Sequence, residues 1–161
     1  MIKHLDGSVQ FTINEYYNRY MMCLWHWEME LNRKPKEYDS FTDKVVLSAR
    51  QFKELESLRN ERIERENRLF RCTELNNRGM ALEKHGEIDE AIATYEQNIL
   101  PDCYPALHSY DRLLVLYRKR KDYENELRVC EMAIKVFSEM PKYAQRRDKI
   151  LALIAKAKSK S

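Results

Sequence analysis

Glycine and proline are scarce in this chain. Three glycines and four prolines stand among 161 residues, whereas charged side chains make up 34% of the total. Sandwiches and barrels of short strands need a turn about every ten residues, and those turns usually contain glycine or proline. The composition therefore argues against such folds and predicts an all-α protein of long helices.

Long apolar runs and a disulfide framework are absent as well. No run of ~18 apolar residues occurs, so no segment is predicted to span a membrane. Four cysteines, at Cys23, Cys72, Cys103 and Cys130, are widely scattered. We interpret them as reduced thiols that pack as small apolar side chains. The polar start of the chain, with Asp6, does not resemble a secretory signal, and a cytoplasmic protein is predicted.

Motifs of common catalytic sites are missing too. The chain has no glycine-rich phosphate loop, no H-E-x-x-H and no G-x-S-x-G. Cys23 and His26 have the spacing of half a zinc site, but no second pair completes it. Asp102, Cys103 and His108 are close in sequence, which alone does not make a nucleophile and its base. No enzymatic activity, cofactor or metal is predicted.

An aromatic helix is predicted over about residues 12–32. Thr12 and Glu15 have the spacing of a capping box at its start. Apolar residues then recur with the period of one helix face. The core residues predicted on this face are Tyr17, Tyr20, Leu24 and Trp27.

A long charged helix is predicted from about residue 41, after a linker at "NRKPKEYDS". Ser40 with Asp43 is its predicted cap. Its charge run "RNERIERENR" has too few apolar residues for a coiled-coil seam, so we interpret it as a solvated helix face. The two helices together predict an N-terminal helical extension over residues 1–70.

Two helix pairs align when residues 72–106 are laid over 107–141. In the first pair Gly79 falls inside one helix, Gly86 follows its end, and Ala91 and Tyr95 lie four residues apart on the next helix. This pattern resembles the tetratricopeptide repeat, whose unit has a glycine, a small residue and an aromatic residue at these positions. Gly86 is thus predicted to form the turn, and Gly79 to allow a close approach of two helices.

The second pair follows the same pattern more loosely. The large positions of the repeat are filled by Tyr110, Leu113 and Tyr117, and a small position by Ala133. Three residues depart from the repeat, with Leu114 at the glycine, Glu126 at the small residue and Cys130 at the aromatic residue. The resemblance implies two tetratricopeptide-like pairs over 71–140 in a short right-handed α-solenoid. A helix over 141–161 with a basic tail is expected to cap it.

The resemblance also implies a concave groove lined by the first helix of each pair. Its residues would be Asn76, Met80, Glu83 and Lys84 in the first pair, and His108, Asp111, Arg112, Val115, Arg118 and Lys119 in the second. Lys142 and Arg146 of the capping helix would complete it, with Lys149 as a further cation. A groove with a basic end fits an acidic peptide segment.

The function expected from this resemblance is that of a non-enzymatic adaptor for another protein or peptide. One alternative is a structural scaffold that self-associates through the aromatic helix or through the charged helix, which leaves a homo-oligomer open. Another is a nucleic-acid binder, since residues 101–161 carry 14 basic and eight acidic side chains. This basic bias is too weak, without a motif, to argue for nucleic acid.

Overall fold

The computed structural model describes residues 1–100 and 102–159, and this part of the chain is mostly helical, as predicted. Its α-helices are α1 (Ile13–Leu24), continued by a π-helical segment (Trp25–Glu30), α2 (Ala49–His85), α3 (Ile88–Ile99), α4 (Leu107–Lys119), α5 (Tyr123–Val136) and α6 (Pro141–Lys158). The chain forms two compact units, Met1–Asn67 and a second that begins at Arg68. None of the helices in the described part is long and apolar enough to cross a membrane.

A small antiparallel sheet in the first unit corrects the all-α prediction there. Its strands are β1 (Ile2–Lys3), β2 (Val9–Phe11), β3 (Glu37–Asp39) and β4 (Lys44–Leu47), in the order β1-β2-β4-β3. Val9 lies opposite Leu47 and Phe11 lies opposite Val45, and all four side chains are buried. The predicted linker therefore contains a strand, and β4 occupies the predicted start of the second helix.

Helix α2 begins later than the sequence analysis predicts. Ser40 and Asp43 do not cap it, because the residues that follow them form β4 and the helix starts at Ala49. The cap is made by Ser48 and Gln51 instead. The Gln51 backbone N–H donates to Ser48 Oγ at 3.3 Å, and the Ser48 backbone N–H donates to Gln51 Oε1 at 3.0 Å. This reciprocal pair is a capping box.

Helix α1 has its predicted capping box but buries a somewhat different face. Tyr20, Leu24 and Trp27 are buried, as predicted. Tyr17, which the spacing places in the core, is 41% exposed, and Tyr16 is fully buried in its place. Because apolar residues occur all round this helix, their spacing does not single out one face. The buried face is the one that packs in a cluster with β2 and β4.

Two glycines of the chain have the roles that the sequence predicts. Gly86 has a φ of +81° between α2 and α3, a backbone conformation that glycine adopts without strain. Gly79 lies directly against α3. A Cβ atom at this position would stand 2.3 Å from Cε1 of Tyr95, far inside van der Waals contact. The turn and the close helix approach are both confirmed.

The core of the second unit contains most of the residues that the repeat alignment matched. Its buried apolar members include Ala91, Tyr95, Tyr110, Leu113, Leu114, Tyr117, Cys130 and Ala133. Glu126, which the alignment places at the small residue of the second pair, is fully buried as well. Helix α6 begins at Pro141, as predicted, and adds Tyr143 and Ile150 to the same cluster. Helices α3 to α6 each pack against the next along the chain.

Replacing Gly79 by alanine should lower the free energy of unfolding by about 1–3 kcal/mol, the usual cost of overpacking. In an open helix the same change would stabilise by up to ~1 kcal/mol, because alanine is the better helix former. Urea unfolding measures the loss, which should shrink in a Tyr95→Ala background that lacks the ring. An equal loss in both backgrounds would contradict the close contact.

Candidate functional site

An open depression of about 400 Å³ lies between α4 and α6. Its lining consists of Asp111, Leu114 and Arg118 from α4, and Lys142, Tyr143, Gln145, Arg146 and Lys149 from α6. Four of the predicted groove residues, Asp111, Arg118, Lys142 and Arg146, are therefore brought together here. The lining has four cations and one carboxylate, so the depression is positively charged.

A buried carboxylate on α5 holds two of these cations. Glu126 accepts a hydrogen bond from Nε of Arg118 at 2.6 Å and one from Nε of Arg146 at 2.9 Å. Arg146 also donates to the carbonyl oxygen of Leu114 at 2.7 Å. A charge with no access to water needs such partners, because desolvating it unpaired costs several kcal/mol. Glu126 thus links α4, α5 and α6 beside the depression.

The guanidinium of Arg118 keeps donors available for a ligand. Within the part of the chain that the structure describes, only its Nε donates a hydrogen bond, and both terminal nitrogens are without an acceptor. The side chain is 35% exposed. A guanidinium already held at one nitrogen has less freedom to lose when its planar fork binds a carboxylate. Lys149 and Gln145 also have no partner among residues 1–100 and 102–159.

The acidic residue of the lining is tied to α6. Both Asp111 carboxylate oxygens accept from Nζ of Lys142, at 3.0 and 2.9 Å, and Oδ1 also accepts from the Tyr143 hydroxyl at 2.9 Å. Burial, together with the hydrogen bond to Asp111, raises the pKa of Tyr143. Asp111 and Lys142 therefore neutralise each other at the edge of the site.

Arg112, predicted at the basic end of the groove, is bound within the protein. Its Nε donates to Oε1 of Glu83 at 2.9 Å, and a second guanidinium nitrogen donates to Oε2. The Tyr95 hydroxyl donates to Glu83 Oε1 at 2.8 Å. The hydrogen bonds from Arg112 lower the pKa of Glu83 below its ordinary value, and that from Tyr95 lowers it further. This pair joins α2 to α4 and does not contribute to the depression.

The other predicted groove residues are not part of the lining. Asn76 accepts hydrogen bonds from Asn98 at 2.9 Å and from the Ser109 hydroxyl at 2.7 Å, in a largely buried network. The ring of His108 packs edge-on against Tyr95, with 5.9 Å between the centroids. Met80, Lys84 and Lys119 are exposed, and Val115 is half-buried.

Sequence reasoning missed the residue that organises this site. In the repeat alignment Glu126 is only a departure from a small residue. That departure was the available signal, because a carboxylate at a core position requires a cation or several donors. Tyr143 appeared only as an apolar residue of the last helix, although its hydroxyl binds Asp111.

Cys23 and His26, which have the spacing of half a zinc site, are not joined by further ligands in the described residues. No group of three or more His, Cys, Asp or Glu side chains in the described part of the chain is arranged to hold a metal ion. Cys23 is buried, and Nδ1 of His26 contacts the carboxylate of Glu30 on the exposed side of the helix. Cys23, Cys72, Cys103 and Cys130 are all free thiols.

Replacing both Arg118 and Arg146, the two partners of Glu126, should lower the free energy of unfolding by more than the sum of the two single changes. Arg118→Met or Arg146→Met alone leaves one guanidinium on the carboxylate, with an expected loss of about 1–2 kcal/mol. The double variant leaves a buried charge unpaired and should lose about 3–5 kcal/mol. Adding Glu126→Ala to it should restore much of the loss in urea unfolding. Additive losses without this recovery would contradict the role of Glu126.

Acid should weaken the pair of Glu83 and Arg112. Because the folded pKa of Glu83 is lowered, its stabilisation is complete above the ordinary carboxyl range and is lost as the pH falls through the lowered value. Between about pH 5 and 3, the free energy of unfolding should therefore fall more steeply in the wild type than in Glu83→Gln. Urea unfolding at each pH measures the slopes. In an Arg112→Met background the difference between the two slopes should be smaller. Identical slopes in the wild type and in Glu83→Gln would contradict the role of this ion pair.

Comparison with protein-family models, with curated proteins and with solved structures gives no match to this chain. The resemblance to the tetratricopeptide repeat therefore rests on the residues of this chain alone. The function of the protein is inferred from the geometry of its own structure.

Proposed function

We propose that residues 72–140 form two tetratricopeptide-type helix pairs, capped by α6 in a short right-handed α-solenoid. On this proposal the protein is a non-enzymatic adaptor, and the depression between α4 and α6 binds an acidic segment of another protein. The observation that carries the proposal is the Arg118 guanidinium, which Glu126 holds at one nitrogen while its other nitrogens have no acceptor among the described residues.

The packing of the two helix pairs supports the repeat. In the first pair Gly79 stands against Tyr95. In the second pair the aligned residues are Leu114 and Cys130, both buried in the core of the unit. The larger side chain comes from the second helix in the first pair, as Tyr95, and from the first helix in the second pair, as Leu114. The combined volume of the two side chains is similar in both pairs, and cores tolerate volume-conserving exchanges best. The departures of the second pair are thus compatible with the same helix arrangement.

The position of the depression supports a binding role. In the tetratricopeptide family the first helices of successive pairs line the inner surface that receives peptides. Here α4 is the first helix of the second pair, and α6 follows as the first helix of a further, incomplete pair. The depression lies between these two helices.

The charge of the site favours an acidic occupant. Four lining cations against two carboxylates, Asp111 and Glu126, leave a net charge of +2. An acidic segment would be attracted to this surface before contact. Once bound, it would gain charge-assisted hydrogen bonds from Arg118 and Lys149, each worth about 1.5–3 kcal/mol. Because both side chains have donors free, no internal ion pair need break.

Binding of a short fluorescent peptide rich in glutamate and aspartate, followed by anisotropy, tests the proposal. The wild type should bind it and should not bind the same peptide with lysine in place of the acids. Lys149→Glu should raise the Kd about tenfold or more, a loss of ~1.4 kcal/mol. The matched control is Lys156→Glu, the same charge change on an exposed residue of α6 outside the depression.

The control should change the Kd by less than about twofold, well under ~1 kcal/mol. Absence of binding by the wild type would overturn the proposal, as would equal losses in Lys149→Glu and Lys156→Glu. A single-stranded oligonucleotide that displaces the peptide at lower concentration would favour the nucleic-acid alternative instead.

A further inference from the structure

The outward face of α1 and its π-helical continuation carries a row of large apolar side chains in solvent. Tyr17, Met21, Trp25 and Met29 follow each other at intervals of four residues, and are 41%, 62%, 67% and 70% exposed. We call these four residues the Met–aromatic stripe. Single exposed apolar residues are ordinary on a protein surface, but a continuous row of them marks an interaction surface.

The stripe cannot turn inward, because the opposite face of the helix is anchored. Tyr20 is fully buried, and its hydroxyl donates to Glu56 at 2.6 Å. Trp27 is also fully buried, and its indole N–H donates to Glu54 at 3.2 Å. These contacts fix the rotation of the helix about its own axis. The four residues of the stripe therefore stay on the face of α1 that the first unit leaves exposed.

The π-helical segment keeps the stripe in line. In an α-helix, residues four apart advance beyond a full turn by about 40°, so such a row winds around the helix. A π-helical turn contains more residues, so residues four apart fall short of a full turn and the direction of winding is reversed. The π-helical segment Trp25–Glu30 therefore returns Met29 toward the line of Met21 and Trp25. Such segments are rare and are frequent at functional sites.

The order of residues in the stripe is self-complementary. When two copies pack antiparallel about an axis between Met21 and Trp25, Met21 of one faces Trp25 of the other. At the outer levels Tyr17 faces Met29 of the second copy. Every level then joins a methionine sulfur to an aromatic ring, a contact worth about 0.3–1.5 kcal/mol. A parallel pair would instead place each residue against its own kind.

The polar residues beside the stripe favour the same antiparallel arrangement. Glu28 and Glu30 lie at its C-terminal end, where Lys34 lines the same surface pocket as Met29. At its N-terminal end lie the exposed Asn14 and Asn18, and Glu15, whose charge is balanced by the amino group of Met1 at 2.9 Å. Antiparallel packing brings the two glutamates toward the asparagines and the positive end of the partner helix. Parallel packing would bring the glutamates of both copies together, where like charges repel.

We propose that the protein forms a homodimer through the Met–aromatic stripe, with the two α1 helices antiparallel. Such an interface would bury on the order of 1,000 Å² in total, near the lower limit for specific association, so a dimer with a micromolar Kd is expected. The stripe belongs to the first unit and the depression to the second. Failure of one proposal therefore leaves the other standing.

Light scattering on the full chain, from micromolar to near-millimolar concentration, tests the dimer. The mass should rise from the monomer value of 19.5 kDa toward twice that value. Met21→Glu and Trp25→Lys should each raise the Kd about tenfold or more. A mixture of the two variants should associate again, because the antiparallel pair sets the introduced acid against the introduced base. Phe41→Glu, on a fully exposed side chain outside the stripe, is the matched control and should not change the Kd.

Tryptophan emission gives a second readout. Trp25 is exposed and Trp27 is buried, so a blue shift with rising concentration should come from Trp25 and be absent in Trp25→Phe. A wild type that stays monomeric over the whole range would overturn the proposal. So would a dimer that survives both Met21→Glu and Trp25→Lys, or a mixture of these variants that fails to associate.

Discussion

The packing of the second unit depends on one close contact, that of Gly79 with the ring of Tyr95. The ring occupies the space that a Cβ atom at Gly79 would need. The hydroxyl of the same ring donates to Glu83, and Glu83 in turn binds Arg112 on α4. The absence of one methyl group therefore lets a single tyrosine pack α3 on α2 and support the ion pair that joins α2 to α4.

A buried charge joins the later helices of the second unit. The carboxylate of Glu126 on α5 is fully buried, and it accepts hydrogen bonds from Arg118 on α4 and Arg146 on α6. Because these hydrogen bonds also orient Arg118, the interaction that holds α6 in place fixes the position of a guanidinium in the depression. On the proposed repeat, Glu126 stands at a position that would suit a small apolar residue.

The features that the sequence predicts well are those that local backbone chemistry decides. The positive φ at residue 86 favours glycine, and Pro141 suits the first turn of a helix. The sheet escaped prediction because its strands are two to four residues long and pair over long separations, such as Val9 with Leu47. The buried face of α1 was not predicted correctly for a different reason. Apolar residues surround that helix, so only the sheet beside it selects Tyr16 over Tyr17 for the core.

For the site, the sequence identifies the cations but not their availability. A count of charges treats Arg112, Arg118 and Lys149 alike. Arg112 donates to both carboxylate oxygens of Glu83, Arg118 is held through Nε alone, and Lys149 has no partner in the part of the chain that the structure describes. Ion pairs act over a few ångströms, so only the fold decides which charges remain for a partner. If the depression binds an acidic peptide as proposed, that binding should weaken as salt screens its charges. The side chains of the Met–aromatic stripe carry no charge, so the dimer proposed through it should depend less on ionic strength than peptide binding does.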